Sequence, residues 1–551
     1  MNLEKDEKRH NNLNICENSN DNGENGFDPL DMSNYKLNKL PKRELSSFEK
    51  KMRKAGGPLA LIAFVLLNYF VAFPFLQHIN VSILPDAAKK VFESVGAEAF
   101  AAKNASMLAV FVSALILWIT EAVPNYLTSL MLIIALVLTG VLPEVEAYHQ
   151  LGHKVMWLNI MSFILASMLV KTRAAKRFAL WFIVKFGKSA TSIFVSFIVI
   201  NLILSAFISA TTAKAAILLP IMMVVAAIYG ATGGKNKNNF GRNLILQNLF
   251  QINMGASAFV TGSGANLLAA AFIGEAIGKD IYFTDWMKVA FPISVAIMFI
   301  GLFVGTKFIF PLSEKEKKPT IKGGMERLKE ELKKMGKVSG QEIRAVAIFI
   351  TVLLLWVTDR WHGISPTAVA FLGGIVSLMP KIGVVEWNDV DIPWHLLLFS
   401  AGAYTLGAGL KHTGLATILV DAMFNSLGFG KDTPFWVLYL ILTGGMLFSA
   451  LMFQSKTMRT LIFVPIAIGV ARKFGYPVMS LAFPVALLIE HVYVLPFNSK
   501  PAALLYVTDQ YSWSDTFKFG ITMMFIAWII SIVCAMTYFK WLGITPNGLF
   551  F

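Results

Sequence analysis

AAILLPIMMVVAAIYG at residues 215–230 and TLIFVPIAIGVARKFG at residues 460–475 are two versions of one segment. Pro220 aligns with Pro465 and Gly230 with Gly475, without a gap. The register extends upstream, where ATTAK (210–214) falls on SKTMR (455–459). LILWITEAVP (115–124) resembles LLLWVTDRWHGISP (353–366), setting Glu121 opposite Asp359. TDWMK (284–288) recurs as SDTFK (514–518), so Asp285 and Lys288 match Asp515 and Lys518. Ordered matches at nearly constant spacing mark a duplication, with repeats at residues 105–311 and 343–551.

The 551 residues are 56% hydrophobic and 15% charged, against about 25% charged in a soluble protein. Mean hydropathy is +0.60. Apolar runs of roughly 20 residues recur, each long enough to cross a bilayer core of ~30 Å as a helix. The fold class is therefore an all-α membrane protein with the lipid bilayer as its solvent. The net charge is +15, but the basic residues lie in the tail and loops, as the positive-inside bias requires. No basic stripe with interleaved aromatics exists to bind nucleic acid. Cys16 and Cys534 form no disulfide framework or metal-ligand spacing. No phosphate-binding loop, zinc-protease motif or nucleophile elbow stands in a usable context, which argues against an ATP-driven pump or an enzyme.

Residues 1–57 are polar, Asn-rich and then Lys/Arg-rich. Without an early apolar stretch they read as a disordered cytosolic tail and not a cleavable signal. A first span is expected over Pro58–Leu76, after KLPKRELSSFEKKMRKAGG (39–57). Residues 58–104 thus hold the first helix and an external segment, with N-x-S sequons at Asn80 and Asn104. The charged stretch 312–342 reads as a cytosolic, partly helical linker. KTRAAKRFALWFIVKFGK (171–188) is far more basic than its repeat counterpart KHTGLATILVDAMFNSLGFGKD (411–432). One copy then lies inside and the other outside, so the repeats are inverted. Each would cross the membrane five times, giving about eleven spans with a cytosolic N-terminus, in a plasma-membrane carrier plan.

Four polar breaks interrupt the apolar runs: ISATTAK (208–214), TGSGAN (261–266), FQSKTMRT (453–460) and PFNSKPA (496–502). They form two repeat-matched pairs, read as a re-entrant hairpin and a broken helix in each half. Unpaired backbone in hydrocarbon costs several kcal/mol per group, so such breaks survive where they line a site. Half-helix N-termini there can hold an anion. Glu121 and Asp359 read as residues that orient scaffold helices. Glu490 is open to two readings, with His491 as a proton carrier or with the Glu paired to a nearby Lys.

On these motifs the chain resembles the divalent anion–sodium symporter family of dicarboxylate, citrate and sulfate carriers, over roughly residues 105–540. WITEAVP (118–124), the LLP and VPI runs after each hairpin tip, and TDWMKVAFP carry the likeness. The resemblance implies hairpin tips of Ser-Asn-Thr type and Thr-Pro-Pro-like turns followed by Asn. These would hold two sodium ions and the substrate carboxylates, in a dimer that works by an elevator movement. The first tip here reads Ala210-Thr211-Thr212, then Lys214; the second reads Ser455-Lys456-Thr457, then Arg459. The first turn, Ser263-Gly264-Ala265-Asn266, keeps its Asn, whereas Ser499-Lys500-Pro501-Ala502 loses it. An ammonium has three donors and no acceptor, so it cannot ligate sodium but can stand in its place. Arg459 is expected to grip a carboxylate bidentately.

The implied substrate ligands in the first half are Thr211, Thr212, Lys214, Ser263, Gly264 and Asn266. Those of the second are Ser455, Lys456, Thr457, Arg459, Asn498, Ser499 and Lys500. A residual sodium site would use Ser209, Thr212, Gly262 and Asn266. The expected function is secondary transport of small multivalent anions, chiefly di- or tricarboxylates, with weak or no sodium coupling and so anion exchange, and with no other cofactor. A sodium-coupled dicarboxylate or sulfate symporter is the alternative, and a non-transporting membrane scaffold a third reading.

Overall fold

The structure is a computed structural model that describes residues 28–35, 47–77, 79–321, 323–426, 433–452 and 455–550. Most of the expected tail, Phe453–Gln454 of the third break and part of the stretch 411–432 lie outside those residues. Among the described residues there is no strand, and the helices of seven or more residues fall into two matched series. Before the first come α1 (Ser47–Val65) and α2 (Asp86–Val95). The first series is α3 (Ala97–Thr120), α4 (Asn125–Leu138), α5 (Lys154–Lys171), α6 (Ala174–Phe186), α7 (Ala190–Phe207), α8 (Thr211–Ile228), α9 (Asn239–Ala258), α10 (Gly264–Ile277) and α11 (Phe283–Val304). The linker contributes α12 (Gly324–Lys334). The second series is α13 (Gly340–Val357), α14 (Pro366–Leu378), α15 (Trp394–Thr413), α16 (Leu415–Ser426), α17 (Phe435–Phe448), α18 (Lys456–Lys473), α19 (Val478–Leu487), α20 (Lys500–Tyr506) and α21 (Trp513–Met536).

Contacts between the series come in exchanged pairs. α4 packs on α15 as α14 packs on α5, and α8 packs on α20 as α18 packs on α10. Exchange of this kind is the mark of a two-fold relation between the halves.

Hydrogen bonds fix its direction. The Ile228 carbonyl, at the end of α8, accepts from the linker amide of Thr320 at 2.8 Å. Asn239, at the start of α9, donates to the Pro311 carbonyl at 2.9 Å, just beyond α11. α11 and its extension to Ile309 run 27 residues, about 40 Å at 1.5 Å per residue. Its start, and the adjoining end of α10, therefore lie on the face opposite the linker. Arg472, near the end of α18, donates to the Ala276 carbonyl at the end of α10, at 3.0 Å. So α8 ends on the linker face and α18 on the far face. α21 starts on the linker face, where Arg242 meets Asp515 at 3.3 Å, whereas α11 starts on the far face. Equivalent helices thus run in opposite directions.

Among the described residues, six helices are long and apolar enough to cross a membrane, and six shorter helices are apolar. Phe303 on α11, Leu354 on α13 and Ile529 on α21 are each more than half exposed. Large apolar surface of this kind belongs against lipid or a partner, not water.

Three local expectations change. The first helix starts at Ser47 and passes through Pro58, because the basic stretch before Pro58 is itself helix-forming. Five wide-turn residues, Leu66–Phe70, end it before Leu76. Residues 77–104 are not one external loop, because α3 begins at Ala97. Asn104 is fully buried there and donates to the Phe100 carbonyl at 3.1 Å, so it cannot accept a glycan. Part of the presumed disordered tail is ordered. Met32 and Tyr35 are buried, in a turn that packs on α8.

The linker is fastened by Arg177 of α6. Its guanidinium meets both Glu342 oxygens, at 2.7 and 3.2 Å, and the Met335 and Gly336 carbonyls at 2.9 Å. Arg177→Ala is expected to cost about 2 kcal/mol locally. Amide exchange across α12 should then accelerate roughly thirtyfold. Unchanged exchange there would contradict this tie.

Candidate functional site

The described backbone at each hairpin tip leaves helical geometry. Ile208 and Ala210 are extended between α7 and α8, and Ser455 is extended before α18. Polar backbone at this depth needs partners within the protein.

Lys214 and Arg459, which share one repeat position, anchor the tips to the helices beside them. Lys214 Nζ donates to Ser205 Oγ on α7 at 2.8 Å and to the Ile252 carbonyl on α9 at 3.4 Å. Arg459 Nε donates to Ser449 Oγ at 3.0 Å, Nη1 to the Ile489 carbonyl at 3.1 Å and Nη2 to the Leu488 carbonyl at 3.4 Å. Nη2 also reaches the Met446 carbonyl. Both side chains are 0% exposed. Each cation ties its hairpin to the broken helix beside it. Neither offers a donor to an anion in this conformation. The expected bidentate grip by Arg459 is replaced by a ring of backbone carbonyls, and Lys214 does not face the tip.

Lys456 opens α18 and pairs with Glu490 at 2.6 Å. The Glu490 side chain is 0% exposed and that of Lys456 is 16% exposed. Ser263 Oγ donates to the other Glu490 oxygen at 2.5 Å. One carboxylate therefore joins the second hairpin tip to the first broken helix. The buried Glu is paired with a Lys, while His491 bonds Tyr493 at 2.7 Å inside the core.

Asn498 is spent on structure. It accepts from the Leu495 amide at 2.5 Å and donates to the Ala450 carbonyl at 2.7 Å. Ser263, Ser455 and Ser499 accept from the Asn266, Met458 and Ala502 amides, capping α10, α18 and α20. α8 has no side-chain cap, because Ala210 stands where Ser455 does. Solvent reaches Thr212, Gly264, Ser455, Lys456, Thr457 and Ser499 in part and Lys500 more fully, whereas Thr211, Ser263, Asn266 and Asn498 are buried. Asp359 is buried and accepts from Thr284; its repeat mate Glu121 is exposed in a left-handed turn. Only one of that pair orients a helix.

The first half retains oxygens that suit sodium. Ser209 Oγ, Thr261 Oγ1 and Asn266 Oδ1 are buried without a hydrogen-bond partner. The Asn266 amide nitrogen donates to the Ala256 and Phe259 carbonyls at 2.8 and 3.0 Å, which fixes its oxygen the other way. The turn Val260–Gly262 packs on α7 and α10. Gly262 is required, since a Cβ there would sit 2.1 Å from the Ala256 carbonyl oxygen. Thr212 adds a partly buried hydroxyl. Unpartnered neutral oxygens fit a sodium ion. The equivalent positions of the second half carry Phe497 and Ala502 in place of Thr261 and Asn266, and Lys456 in place of Thr211.

Sequence reasoning missed Thr261, although it opens the quoted TGSGAN turn. It also read α9 as apolar, yet Asn243, Gln247, Asn248, Gln251 and Asn253 are all fully buried there. Asn201 of α7 donates to Asn248 at 2.9 Å and to Gln251 at 3.2 Å. The run of amides was the available signal.

Lys456→Met or Glu490→Gln alone should each lower thermal stability, by about 3 kcal/mol for the variant that strands the buried carboxylate. The double variant should lose less than the sum. Additive losses in melting experiments would rule out the pairing.

Residues 96–545 match the family described as the sodium:sulfate symporter transmembrane region. A membrane protein of Cupriavidus necator is 25% identical over 458 residues, covering 79% of this chain and 87% of its own. The sodium-dependent dicarboxylate transporter SdcS of Staphylococcus saprophyticus is 25% identical over 466 residues, 80% of this chain and 88% of its own. SdcS of Staphylococcus aureus strain NCTC 8325 is 24% identical over 437 residues, 76% and 82% of the two chains. With the match spanning both helix series and all four breaks, the chain belongs to the sodium:sulfate symporter family, as a multi-pass membrane transporter and not an enzyme.

Proposed function

We propose that this protein carries small dicarboxylates, bound between the two hairpin tips and the two half-helix turns. The relatives named as dicarboxylate transporters support the substrate class. Lys500, exposed at the start of α20, is the cation free to meet a carboxylate. The partly accessible Thr212, Thr457 and Ser499 supply neutral donors, as does the uncapped first turn of α8. The hairpins, broken helices, α11 and α21 move as one body against the remaining helices, in an elevator fashion, within a homodimer. The basic linker face lies in the cytosol, and Asp28 of the N-terminal tail meets Arg327 of the linker at 3.4 Å, so the tail is cytosolic; the membrane of this reading is the plasma membrane.

Sodium coupling is reduced, not abolished. The observation that carries this reading is the Lys456–Glu490 pair at 2.6 Å, matched in the first half by unpartnered oxygens of Ser209, Thr261 and Asn266. One ion binds in the first half, and the tethered ammonium stands for the other. A fixed charge cannot leave with the substrate, so it adds no gradient energy. A second reading, exchange without sodium, is favoured by Ala210, which removes a Ser hydroxyl from the first tip.

Uptake of labelled succinate into proteoliposomes separates these readings. One coupled ion gives sodium activation with a Hill coefficient near one. Uptake that needs internal dicarboxylate and ignores sodium supports exchange. Failure to move any dicarboxylate under either condition overturns both. Lys500→Gln should raise the succinate KM about tenfold, equivalent to ~1.4 kcal/mol, with unchanged thermal stability.

A further inference from the structure

On the outward side of α6, Phe178, Trp181, Phe182 and Lys185 recur at the spacing of one helical face. Phe178 and Phe182 lie 5.8 Å apart between ring centroids, and Phe182 and Phe186 lie 4.6 Å apart. Lys185 Nζ sits 4.8 Å from the Trp181 ring centre and 5.4 Å from that of Phe186. Trp181 and Phe186 are 42% and 43% exposed. The other side of the helix, with Ala175, Ala179, Leu180 and Ile183, is buried. This is an aromatic ladder capped by a cation, on a helix already committed to the core along its other face.

Charge at the ends of the helix completes the pattern. Arg173 and Lys188 are exposed, as is Lys185. Among the described residues no carboxylate forms a salt bridge with any of the three. Neighbouring cations are differently employed: Lys171 pairs with Asp389 at 2.6 Å and Arg177 with Glu342 at 2.7 Å. The repeat counterpart α16 carries no basic residue at all, and its Asp421 pairs with Lys473 at 3.3 Å. The feature therefore belongs to one face of the protein, not to the fold.

Depth follows from the linker. Arg177 of the same helix holds the Met335 and Gly336 carbonyls just after α12, and α12 packs on α6, which sets the start of α6 level with the charged linker at the membrane boundary. Amphipathic rings settle at that level, with cations reaching the headgroup phosphates.

We propose that the Phe178–Lys188 face of α6 is a binding site for anionic phospholipid on the linker side of the membrane. The rings take the glycerol and upper acyl region, with headgroup charge met by Arg173 at the start of the helix and by Lys185 and Lys188 at its end. α6 packs on α5, α7 and α8. A lipid seated there braces the helix between the first hairpin and the neighbouring scaffold.

Titration of phosphatidylserine against the detergent-solubilised full-length protein, read by native mass spectrometry, tests this. Arg173→Gln/Lys185→Gln/Lys188→Gln should weaken binding roughly a hundredfold, at about fivefold per cation, without loss of folded protein. The charge-matched Lys89→Gln/Lys90→Gln/Lys279→Gln variant should bind as the parent does. Equal weakening in both variants would overturn the site in favour of a net-charge effect. Phosphatidylcholine binding as tightly as phosphatidylserine would overturn headgroup recognition. Inorganic phosphate competing at lipid concentrations would overturn a role for the rings.

Discussion

A helix that stops inside a membrane leaves backbone groups without partners, and everything distinctive about this protein follows from how those groups are satisfied. Two buried cations, Lys214 and Arg459, tie the hairpins to the broken helices beside them, and Arg459 takes carbonyls at the ends of α17 and α19. They occupy one repeat position and do one job with different chemistry. Lys214 reaches a hydroxyl and a single carbonyl. Arg459 serves three carbonyls and a hydroxyl, as a planar fork with five donors can. A buried cation without such partners would be far too costly to keep.

With the breaks secured, the two halves diverge in what they leave open. The first half keeps neutral oxygens without partners. The second places an ammonium, Lys456, at its tip and balances it with Glu490, which also takes a bond from Ser263 of the first half. The pair is neutral overall, which leaves Lys500 as the accessible positive charge at the substrate site on the proposed reading. The anion preference then rests on fewer charges than a count of basic residues suggests.

The duplication was legible because Pro and Gly punctuate both copies at fixed offsets, as Pro220/Pro465 and Gly230/Gly475 do. Inversion was legible in the unequal charge of residues 171–188 and 411–432. Side-chain direction was not. Lys214 and Arg459 sit beside polar tips in sequence, but each also bonds a carbonyl 30 or more residues away, at Ile252 and Ile489, which no local pattern reveals. Asn104 matched a glycosylation motif, yet the helix beginning at Ala97 buries it. The amides of α9 were hidden by the Leu and Ile between them, since a helix buried all round shows no polar face.

On the proposed reading, the tethered Lys456–Glu490 pair takes the place of one bound cation. A high-resolution map of the protein with succinate and sodium tests it directly. One ion density is expected among Ser209, Thr261 and Asn266, and an intact Lys456–Glu490 contact with none beside it. Two ion densities, or one lying between Lys456 and Glu490, would contradict it.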